Sequence, residues 1–291
     1  MIALFGPTGI GKTAVAVALA DRLRARGEDP VAVSADALQV YRGLEVLTGV
    51  ATAGEQERLE HRLVSFLAVS ETFSAGRYAA LAHEEIDGLL AAGRRPIVVG
   101  GTGLYLRAAL AELELRPPVD PATQRALEER PAGSLHAELA ARAPQLAGRL
   151  DPTDARRLAR SLALLDVGVE YPPADGALWT RATRHPTRLI ALTMDREALD
   201  AAIDARVDAM VAAGAVDEVR RANEAGASPT ARQALGFAEL LAGDVDAMKR
   251  RTRRYARRQL TWLRKLPGPL TLDVTGLRPE DVAAAIDSPA P

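Results

Sequence analysis

One stretch close to the first residue, FGPTGIGKT at residues 5–13, constrains the fold more than any other part of the chain. It matches the pattern G-x-x-x-x-G-K-[ST], in which glycines let the chain curl between a strand and a helix so that backbone N–H groups point at one anion. An apolar run precedes it, and residues 14–25 follow with the apolar spacing of a helix packed on a sheet. The stretch therefore predicts a phosphate-binding loop at the end of a buried strand.

The side chains of this stretch suit a phosphate ligand. Lys12 adds a mobile positive charge, and Thr13 can place its hydroxyl on a Mg²⁺ ion that the phosphates share. We therefore expect Mg²⁺ as the cofactor and Thr13 as its ligand. The residues expected to bind a diphosphate or nucleotide are Gly6, Pro7, Thr8, Gly9, Ile10, Gly11, Lys12 and Thr13. The stretch does not tell what the diphosphate belongs to, because many nucleotide-binding and ATP-binding proteins share it.

Further apolar runs alternate with helical stretches along the chain. This alternation predicts an α/β fold, a P-loop NTPase-like parallel sheet flanked by helices. Ligands of such sheets lie at the carboxyl ends of the strands, so the loop at residues 6–13, Asp36 and the turn GGTGLY at residues 100–105 should lie together. The predicted strands are residues 31–36, 62–67, 95–101 and 188–195.

The alternation stops between residues 115 and 186, where LRPPVDP opens a mostly helical segment rich in Arg and Ala. We expect a small inserted helical subdomain at residues 112–186, and a core at residues 1–111 and 187–291. A chain of 291 residues is long enough for one domain with an insertion or for two domains. We expect a monomer.

The composition excludes several classes of site. There are no cysteines, which excludes disulfides, thiol nucleophiles and cysteine-bound metal, and four scattered histidines disfavour a histidine metal site. No apolar run approaches the roughly 18 residues of a membrane span, and MIALFGP lacks the basic region of a signal peptide, so we expect a cytoplasmic protein without membrane contact. The net charge of −1 says nothing about nucleic acid.

Local charge patterning does point to an anionic partner. Residues 249–265, KRRTRRYARRQLTWLRK, hold nine Lys or Arg and no acid, while Tyr255, Leu260, Trp262 and Leu263 keep a roughly helical apolar spacing. One face of this helix should pack, and the other should be strongly basic. Such a run repels itself unless an anion lies against it, and a diphosphate neutralises only part of it, so RNA is the better match.

Five segments together carry a family resemblance. GPTGIGKT, SADALQVYRG, GGTGLYLRA, DARRLARSL and TRRYARRQLTW stand in an order and at spacings similar to those of the tRNA dimethylallyltransferases, the tRNA isopentenyltransferase or IPP transferase family. The resemblance runs from residue 2 to about residue 265. It implies transfer of a dimethylallyl group from dimethylallyl diphosphate to N6 of the adenosine 3′-adjacent to the anticodon, tRNA position 37, in tRNAs that read codons beginning with U. The partner would be the tRNA anticodon stem-loop.

The resemblance also implies roles for single residues. Asp36 would be the base that takes a proton from the adenine amino group, which is a poor nucleophile because its lone pair is delocalised into the ring. Thr102 and Lys12 would stabilise charge on the leaving diphosphate. Gln39 can offer an amide donor and an acceptor to an adenine edge, and the target base should be flipped out of its loop.

The resemblance and the basic run place several segments against tRNA. The expected tRNA-binding residues are Asp36, Ala37, Leu38, Gln39, Thr102, Gln124, Arg157, Leu158, Ala159, Arg160, Ser161, Arg254, Arg257 and Arg258.

Alternatives stay open at this point. Asp36 could hold Mg²⁺ through water in a P-loop small-molecule kinase or ATPase, whose basic helix would be a lid or a surface. Gln39 and Tyr41 could be turn and packing residues, and Arg157 and Arg160 could face solvent. A non-enzymatic RNA-binding module is least favoured, because it has no need for a phosphate loop.

The chain departs from the family pattern at several positions, and at least two cations expected near substrate are missing. His61 matches a family histidine and is expected to be a buried residue with a hydrogen-bond partner. The departures are Val50 and Ala238 in place of basic residues, Arg62 in place of a histidine, Phe237 in place of a tyrosine and Ala163 in place of a glutamate.

Overall fold

The computed structural model describes residues 1–113, 115–169 and 180–288 of the chain. The chain forms two compact units, one built from Met1–Glu114 with Ala177–Pro291 and the other from Leu115–Gly176. The second unit lies inside the segment 112–186 for which the sequence predicted an insertion. Residues 114 and 170–179 of that predicted insertion lie outside the described part of the chain.

A parallel sheet forms the centre of the first unit, which confirms the predicted fold class. Every residue of its first two strands is buried, as is typical of a parallel sheet covered on both faces. Within the described residues the sheet has six strands in the order β3-β2-β4-β1-β5-β6, and every neighbouring pair is parallel. The strands are β1 (Ile2–Phe5), β2 (Pro30–Ala35), β3 (His61–Arg62), β4 (Arg95–Gly100), β5 (Arg188–Thr193) and β6 (Leu270–Asp273).

One predicted strand is much shorter than expected. The apolar run at residues 62–67 is wrong as a strand beyond its first residue, because the chain leaves the sheet at Leu63 and Ser65, whose φ angles are 59° and 49°. The backbone N–H of Ser65 then donates to the carbonyl of Gln39 at 2.8 Å. The rest of the run therefore supports the loop that follows β2. No pattern in the sequence predicted β6, which forms an edge of the sheet.

Helices connect the strands and cover the sheet. Those of the first unit are α1 (Lys12–Arg24), α2 (Glu45–Thr48), α3 (Ala53–Arg58), α4 (Ala75–Ala91), α5 (Gly103–Leu110), α10 (Arg196–Ala212), α11 (Ala215–Glu224), α12 (Phe237–Leu241), α13 (Val245–Leu263) and α14 (Pro279–Asp287). Leu4, Leu19 and Ile203 are 0% exposed in the core that β1, α1 and α10 share. Burial of each such side chain stabilises the fold by about 1.5 to 3 kcal/mol. Among the described residues, no helix is long and apolar enough to cross a membrane.

The second unit is helical and has its own small core. Its helices are α6 (Pro121–Glu128), α7 (Ala132–Arg142), α8 (Pro144–Ala147) and α9 (Ala155–Asp166). The carboxylates of Asp120 and Asp154 accept hydrogen bonds from backbone N–H groups in the first turns of α6 and α9, which fixes where these helices begin. Leu135, Leu158 and Leu162 are 0% exposed and pack together. The apolar periodicity of α7 and α9 thus specifies the packing of this unit.

A buried carboxylate joins two helices of the first unit. Glu218 of α11 is 7% exposed, and its two oxygens accept hydrogen bonds from the backbone N–H groups of Val46 and Leu47 at 3.0 and 2.9 Å. These are N–H groups at the start of α2, which have no partner inside that helix. Glu218 therefore provides hydrogen-bond acceptors for the N–H groups in the first turn of α2, and it fixes the segment between residues 44 and 49.

Replacing this carboxylate should destabilise the fold. In Glu218→Ala the N–H groups of Val46 and Leu47 lose their acceptors, so we expect the free energy of unfolding to fall by about 1 to 3 kcal/mol. Denaturation in urea followed by circular dichroism measures the change. Glu224→Ala, at an exposed position of the same helix, is the matched control and should change stability by less than about 0.5 kcal/mol. Equal stability of the two variants would contradict this assignment.

Candidate active site

Three loops meet at one edge of the sheet because the strands that carry them are adjacent. β2, β4 and β1 are neighbours in the sheet and run parallel, so their carboxyl ends lie side by side. The loop after β1 is residues 6–11, Asp36 follows β2, and the turn at residues 100–102 leads from β4 into α5. The structure thus brings together the three segments that the sequence singled out, at the edge where parallel sheets bind ligands.

The phosphate-loop sequence has the backbone that an anion site requires. Gly9 and Gly11 have φ angles of 85° and 86°, in the left-handed region that favours glycine. A Cβ atom on Gly9 would also lie 2.7 Å from the Ile203 side chain, so a larger residue is excluded there. α1 begins at Lys12 with no capping side chain and no acidic residue in its first turn. Its first N–H groups are therefore left for an external anion.

Lys12, the first residue of α1, directly follows this loop and has an unusual pKa. Its Nζ donates hydrogen bonds to the carbonyls of Gly6 and Pro7 at 3.0 and 2.9 Å. Burial, with a smaller contribution from the positive charge of Arg206, lowers the pKa of Lys12 to about 7, and the nearby charge of Asp36 opposes the shift. The proton on Lys12 is therefore available for loss near neutral pH unless an anion binds beside it.

Arg206 of α10 is a second cation at the site, and the sequence did not predict it. Burial lowers its pKa, while the charges of Asp36 and Glu55 oppose the shift. Its guanidinium lies against Gly49, where a Cβ atom would clash with it. Within the described residues the guanidinium has no hydrogen bond or ion pair, so its donors remain for a ligand. No motif marks Arg206, because only the packing of α10 brings it to the phosphate loop.

Asp36 is placed to act on a ligand at the end of β2. One carboxylate oxygen accepts a hydrogen bond from the backbone N–H of Leu38 at 2.9 Å, which fixes the side chain in a half-buried position. The other oxygen makes no hydrogen bond within the described residues. Together with burial, the charge of Asp36 raises the pKa of Tyr105 and of Tyr255. Asp36 therefore lies near tyrosines that stay protonated, and its free carboxylate oxygen can accept a proton from a ligand.

The turn after β4 places Thr102 beside the basic helix. Its hydroxyl is hydrogen-bonded to the hydroxyl of Tyr255 at 3.0 Å. Burial, followed by the charge of Asp36, raises the pKa of Tyr255 to about 12. The pair is thus neutral at physiological pH, and because one hydroxyl donates to the other, one O–H donor of the pair remains for a ligand. A Cβ atom on Gly103 would clash with the ring of Trp262, so α13 packs closely on this turn.

Two residues of the loop after β2 make contacts within the protein. The side-chain oxygen of Gln39 accepts from the Ser34 hydroxyl at 2.8 Å, and its nitrogen donates to the carbonyl of Gly49 at 2.9 Å. Both ends of this amide are occupied, so its expected contact with adenine requires an exchange of partners and stays a prediction. The Tyr41 ring is fully buried and its hydroxyl donates to the carbonyl of Glu71, which supports the packing alternative for that residue.

The basic run is less self-repelling than its sequence suggested. Four of its nine cations form ion pairs with acids that the run itself does not contain. These pairs are Lys249 with Asp208, Arg250 with Asp244, Arg251 with Glu239 and Arg253 with Asp204. Arg254, Arg257 and Arg258 are exposed and have no ion pair within the described part of the chain. Arg264, just after α13, is likewise exposed without an ion pair among the described residues, so four arginines of the run carry uncompensated charge.

The second unit holds the other expected tRNA-binding residues, and it divides them into two groups. The Arg157 side chain is 73% exposed and pairs with Asp154, and Arg160 is exposed and donates to the carbonyl of Pro117. The Gln124 amide donates to Glu128 and to the carbonyl of Arg156. Leu158, Ala159 and Ser161 are buried, contrary to the exposure that RNA contact by their side chains requires, because they lie on the inner face of α9.

The structure gives the burial or the contacts of His61 and of the positions that depart from the family pattern. His61 is half-buried, its Nδ1 lies 2.6 Å from the carbonyl of Leu59, and burial lowers its pKa. Ala238 is exposed and Ala163 is buried. The remaining contacts are Arg62 with Glu60 at 2.6 Å, and Phe237, which is buried with the Arg232 guanidinium 5.4 Å from its ring centroid. Val50 stands where the family has a lysine, and it directly follows Gly49, against which the Arg206 guanidinium lies. Arg206 therefore supplies a cation close to the position of the missing lysine.

The described residues contain no group of three His, Cys, Asp or Glu that could hold a metal ion by themselves. The Thr13 hydroxyl is half-buried at the start of α1 and forms no hydrogen bond within the described residues. A magnesium ion would therefore need oxygen ligands from the phosphates in addition to this hydroxyl, which is how Mg²⁺ binds in phosphate loops.

Sequence comparisons identify the relatives of this chain. The family model described as IPP transferase matches residues 39–266. The tRNA dimethylallyltransferase of Thermobifida fusca is 39% identical over 282 residues, which cover 92% of this chain and 88% of the relative. That of Anaeromyxobacter dehalogenans is 44% identical over 283 residues, which cover 92% and 91%.

Solved structures agree with these relatives. A full-length tRNA isopentenylpyrophosphate transferase from Bacillus halodurans aligns with a TM-score of 0.70 and 31% identity, covering 98% of this chain and 93% of the other. A eukaryotic dimethylallyltransferase acting on tRNA aligns with a TM-score of 0.79 and 25% identity, covering 98% and 76%. The resemblance in the motifs is thereby confirmed, and the chain belongs to the tRNA dimethylallyltransferase, or IPP transferase, family.

Proposed function

We propose that this protein transfers a dimethylallyl group from dimethylallyl diphosphate to N6 of the adenosine at tRNA position 37, in tRNAs that read codons beginning with U. The observation that carries the proposal is the meeting of a phosphate loop, the Asp36 carboxylate and the Thr102–Tyr255 pair at one sheet edge, with α13 packed on it. The product is N6-(dimethylallyl)adenosine. Localisation in the cytoplasm and action as a monomer stay predictions.

The donor diphosphate binds at the phosphate loop. N–H groups at the start of α1 bind its oxygens, and Lys12 and Arg206 supply positive charge. Mg²⁺, held by the Thr13 hydroxyl and the diphosphate oxygens, would further neutralise the leaving group. Lys12 exchanges its contacts to the carbonyls of Gly6 and Pro7 for the diphosphate.

Asp36 acts on the acceptor. The N6 nitrogen attacks C1 of the dimethylallyl group, the bond from C1 to the bridging oxygen breaks, and the electron pair leaves with the diphosphate. The N6 proton passes to the free carboxylate oxygen of Asp36. The O–H of the Thr102–Tyr255 pair that is not used within the pair stabilises the developing negative charge.

The RNA binds along the exposed arginines. Arg254, Arg257 and Arg258 form a surface of uncompensated positive charge that suits a phosphate backbone. Arg157, Arg160 and Gln124 of the second unit stay predicted contacts of the anticodon stem-loop. No observation supports the alternative of a P-loop kinase or ATPase. Unmodified tRNA with labelled dimethylallyl diphosphate, beside an ATP-hydrolysis control, decides between them, because label in RNA without ATP turnover is expected only of the prenyltransferase.

Removal of the base should stop the chemistry and spare binding. For Asp36→Ala and Asp36→Asn we expect kcat to fall by about 10² to 10⁴, because a positioned general base contributes this much. The Kd for tRNA should change less than about threefold, since the base acts mainly in the transition state. Single-turnover transfer and filter binding measure the two quantities. A parallel loss of rate and tRNA affinity would instead make Asp36 a binding residue.

The lowered pKa of Lys12 makes donor binding depend on pH. The diphosphate favours protonated Lys12, so affinity is fully present below pH 7 and should weaken by up to about tenfold per pH unit above it. Calorimetry at about pH 8, in buffers of different ionisation enthalpy, should show proton uptake on binding. Lys12→Arg stays charged at this pH and is the matched control without uptake. The same uptake in both proteins would assign the titration to another group.

The exposed arginines should set the salt dependence of RNA binding. In the triple variant Arg254→Gln, Arg257→Gln, Arg258→Gln, the slope of log K against log salt should fall in magnitude by about 0.7 to 0.9 for each lost phosphate contact. The control removes equal charge from Arg22 and Arg24 in the last turn of α1 and from Arg26 just after it, three arginines that pair with Asp287 or Asp21 at the end of the helix away from the phosphate loop. If the folded triple variant at positions 254, 257 and 258 keeps the same slope, these arginines do not contact RNA phosphates.

A further inference from the structure

The buried face of the basic helix carries a side chain that joins two loops of the site. Gln259 is 4% exposed although it stands between Arg258 and Leu260 in the basic run. Its side-chain oxygen accepts from the backbone N–H of Thr8 at 2.9 Å, and its nitrogen donates to the carbonyl of Gly101 at 2.7 Å. Thr8 belongs to the phosphate loop, and Gly101 directly precedes Thr102. One amide therefore bridges the donor loop and the turn that carries Thr102.

The glycines around this amide show that the bridge is closely fitted. A Cβ atom on Gly101 would clash with the Gln259 amide and lie 2.8 Å from the carbonyl oxygen of Gly6. A Cβ atom on Gly103 would clash with Trp262, which is three residues after Gln259 on α13. Residues 255, 259 and 262 of the helix thus contact one turn, because positions separated by three or four residues share a helix face.

We infer that Gln259 is a positioning residue, which holds the phosphate loop and the Thr102 turn in a fixed mutual arrangement from the RNA-binding helix. The inference rests on the proposed function. Its amide also occupies the N–H of Thr8, so this N–H is not one of the groups that bind the diphosphate. The diphosphate site is therefore formed by the later residues of the loop and the start of α1.

Only an amide of this length can make both bonds. In Gln259→Glu the carboxylate cannot donate to the Gly101 carbonyl, and it places a negative charge against the phosphate loop. In Gln259→Leu the size is similar, but the Thr8 N–H and the Gly101 carbonyl lose their partners. Both changes leave the exposed Arg254, Arg257 and Arg258 in place. The two variants therefore separate the bridge from RNA binding.

The test combines kinetics with a measurement that needs no turnover. We expect kcat/KM for dimethylallyl diphosphate to fall about 10- to 100-fold in both variants, because small displacements of reacting groups cost this much. Gln259→Glu should in addition raise the donor KM more than Gln259→Leu does, owing to its charge. The Kd for tRNA should stay within about threefold of the unchanged protein. Gln145→Leu and Gln145→Glu, at an exposed position of α8, are the matched controls.

Hydrogen exchange of the Thr8 amide measures directly whether its hydrogen bond to Gln259 is present. The Thr8 amide should be protected in the unchanged protein without any substrate and should exchange at least about tenfold faster in Gln259→Leu. Unchanged Thr8 protection, or unchanged donor kinetics in a folded variant, overturns the inference. So does a loss of tRNA affinity that matches the loss of rate, since Gln259 would then only support the helix. If the wild-type protein transfers no labelled dimethylallyl group to tRNA, the proposed function is overturned. The exchange rate of the Thr8 amide would still test the bridge in that case.

Discussion

The close approach of two backbone turns sets the geometry of this site. Parallel pairing of β1 with β4 aligns Phe5 with Gly100, so the residues that follow, Gly6 and Gly101, leave the sheet together. A Cβ atom on Gly101 would lie 2.8 Å from the Gly6 carbonyl oxygen. This separation is compatible only with glycine at position 101. The register of the sheet therefore places the phosphate loop beside the turn that carries Thr102, before any side chain contributes.

The charged side chains beside these turns favour an anionic ligand. Lys12 and Arg206 lie near each other, the charge of Asp36 acts on both, and the charge of Glu55 acts on Arg206. Burial disfavours both charges in the free protein and lowers both pKa values, and for Lys12 the positive charge of Arg206 adds a smaller contribution. An anion relieves the repulsion. Under the proposed function, the diphosphate would offset the cost of burying these cations, and it would do so more strongly as negative charge develops on the leaving group.

The sequence predicted the local features well and the tertiary ones less well. The phosphate loop and the main strands depend on short-range patterns, and the structure confirms the parallel sheet. The run at residues 62–67 has the composition of a strand, but Leu63 and Ser65 turn it toward Gln39. Arg206 could not be found because its partners are distant in sequence. The repulsion expected within the basic run was overstated for the same reason, since its balancing acids, such as Asp204 and Asp208, lie on α10.

The geometry of α13 lets one helix contact two loops of the site and also present a basic surface. Its side chains repeat every 3.6 residues, so Tyr255, Gln259 and Trp262 contact the Thr102 turn and the phosphate loop while Arg254, Arg257 and Arg258 remain exposed. The contacts to the two loops span seven residues, about 10 Å of helix at 1.5 Å per residue. Under the proposed function, one helix would therefore contact both the RNA and the loops that flank the donor, because its inner and outer faces carry different side chains.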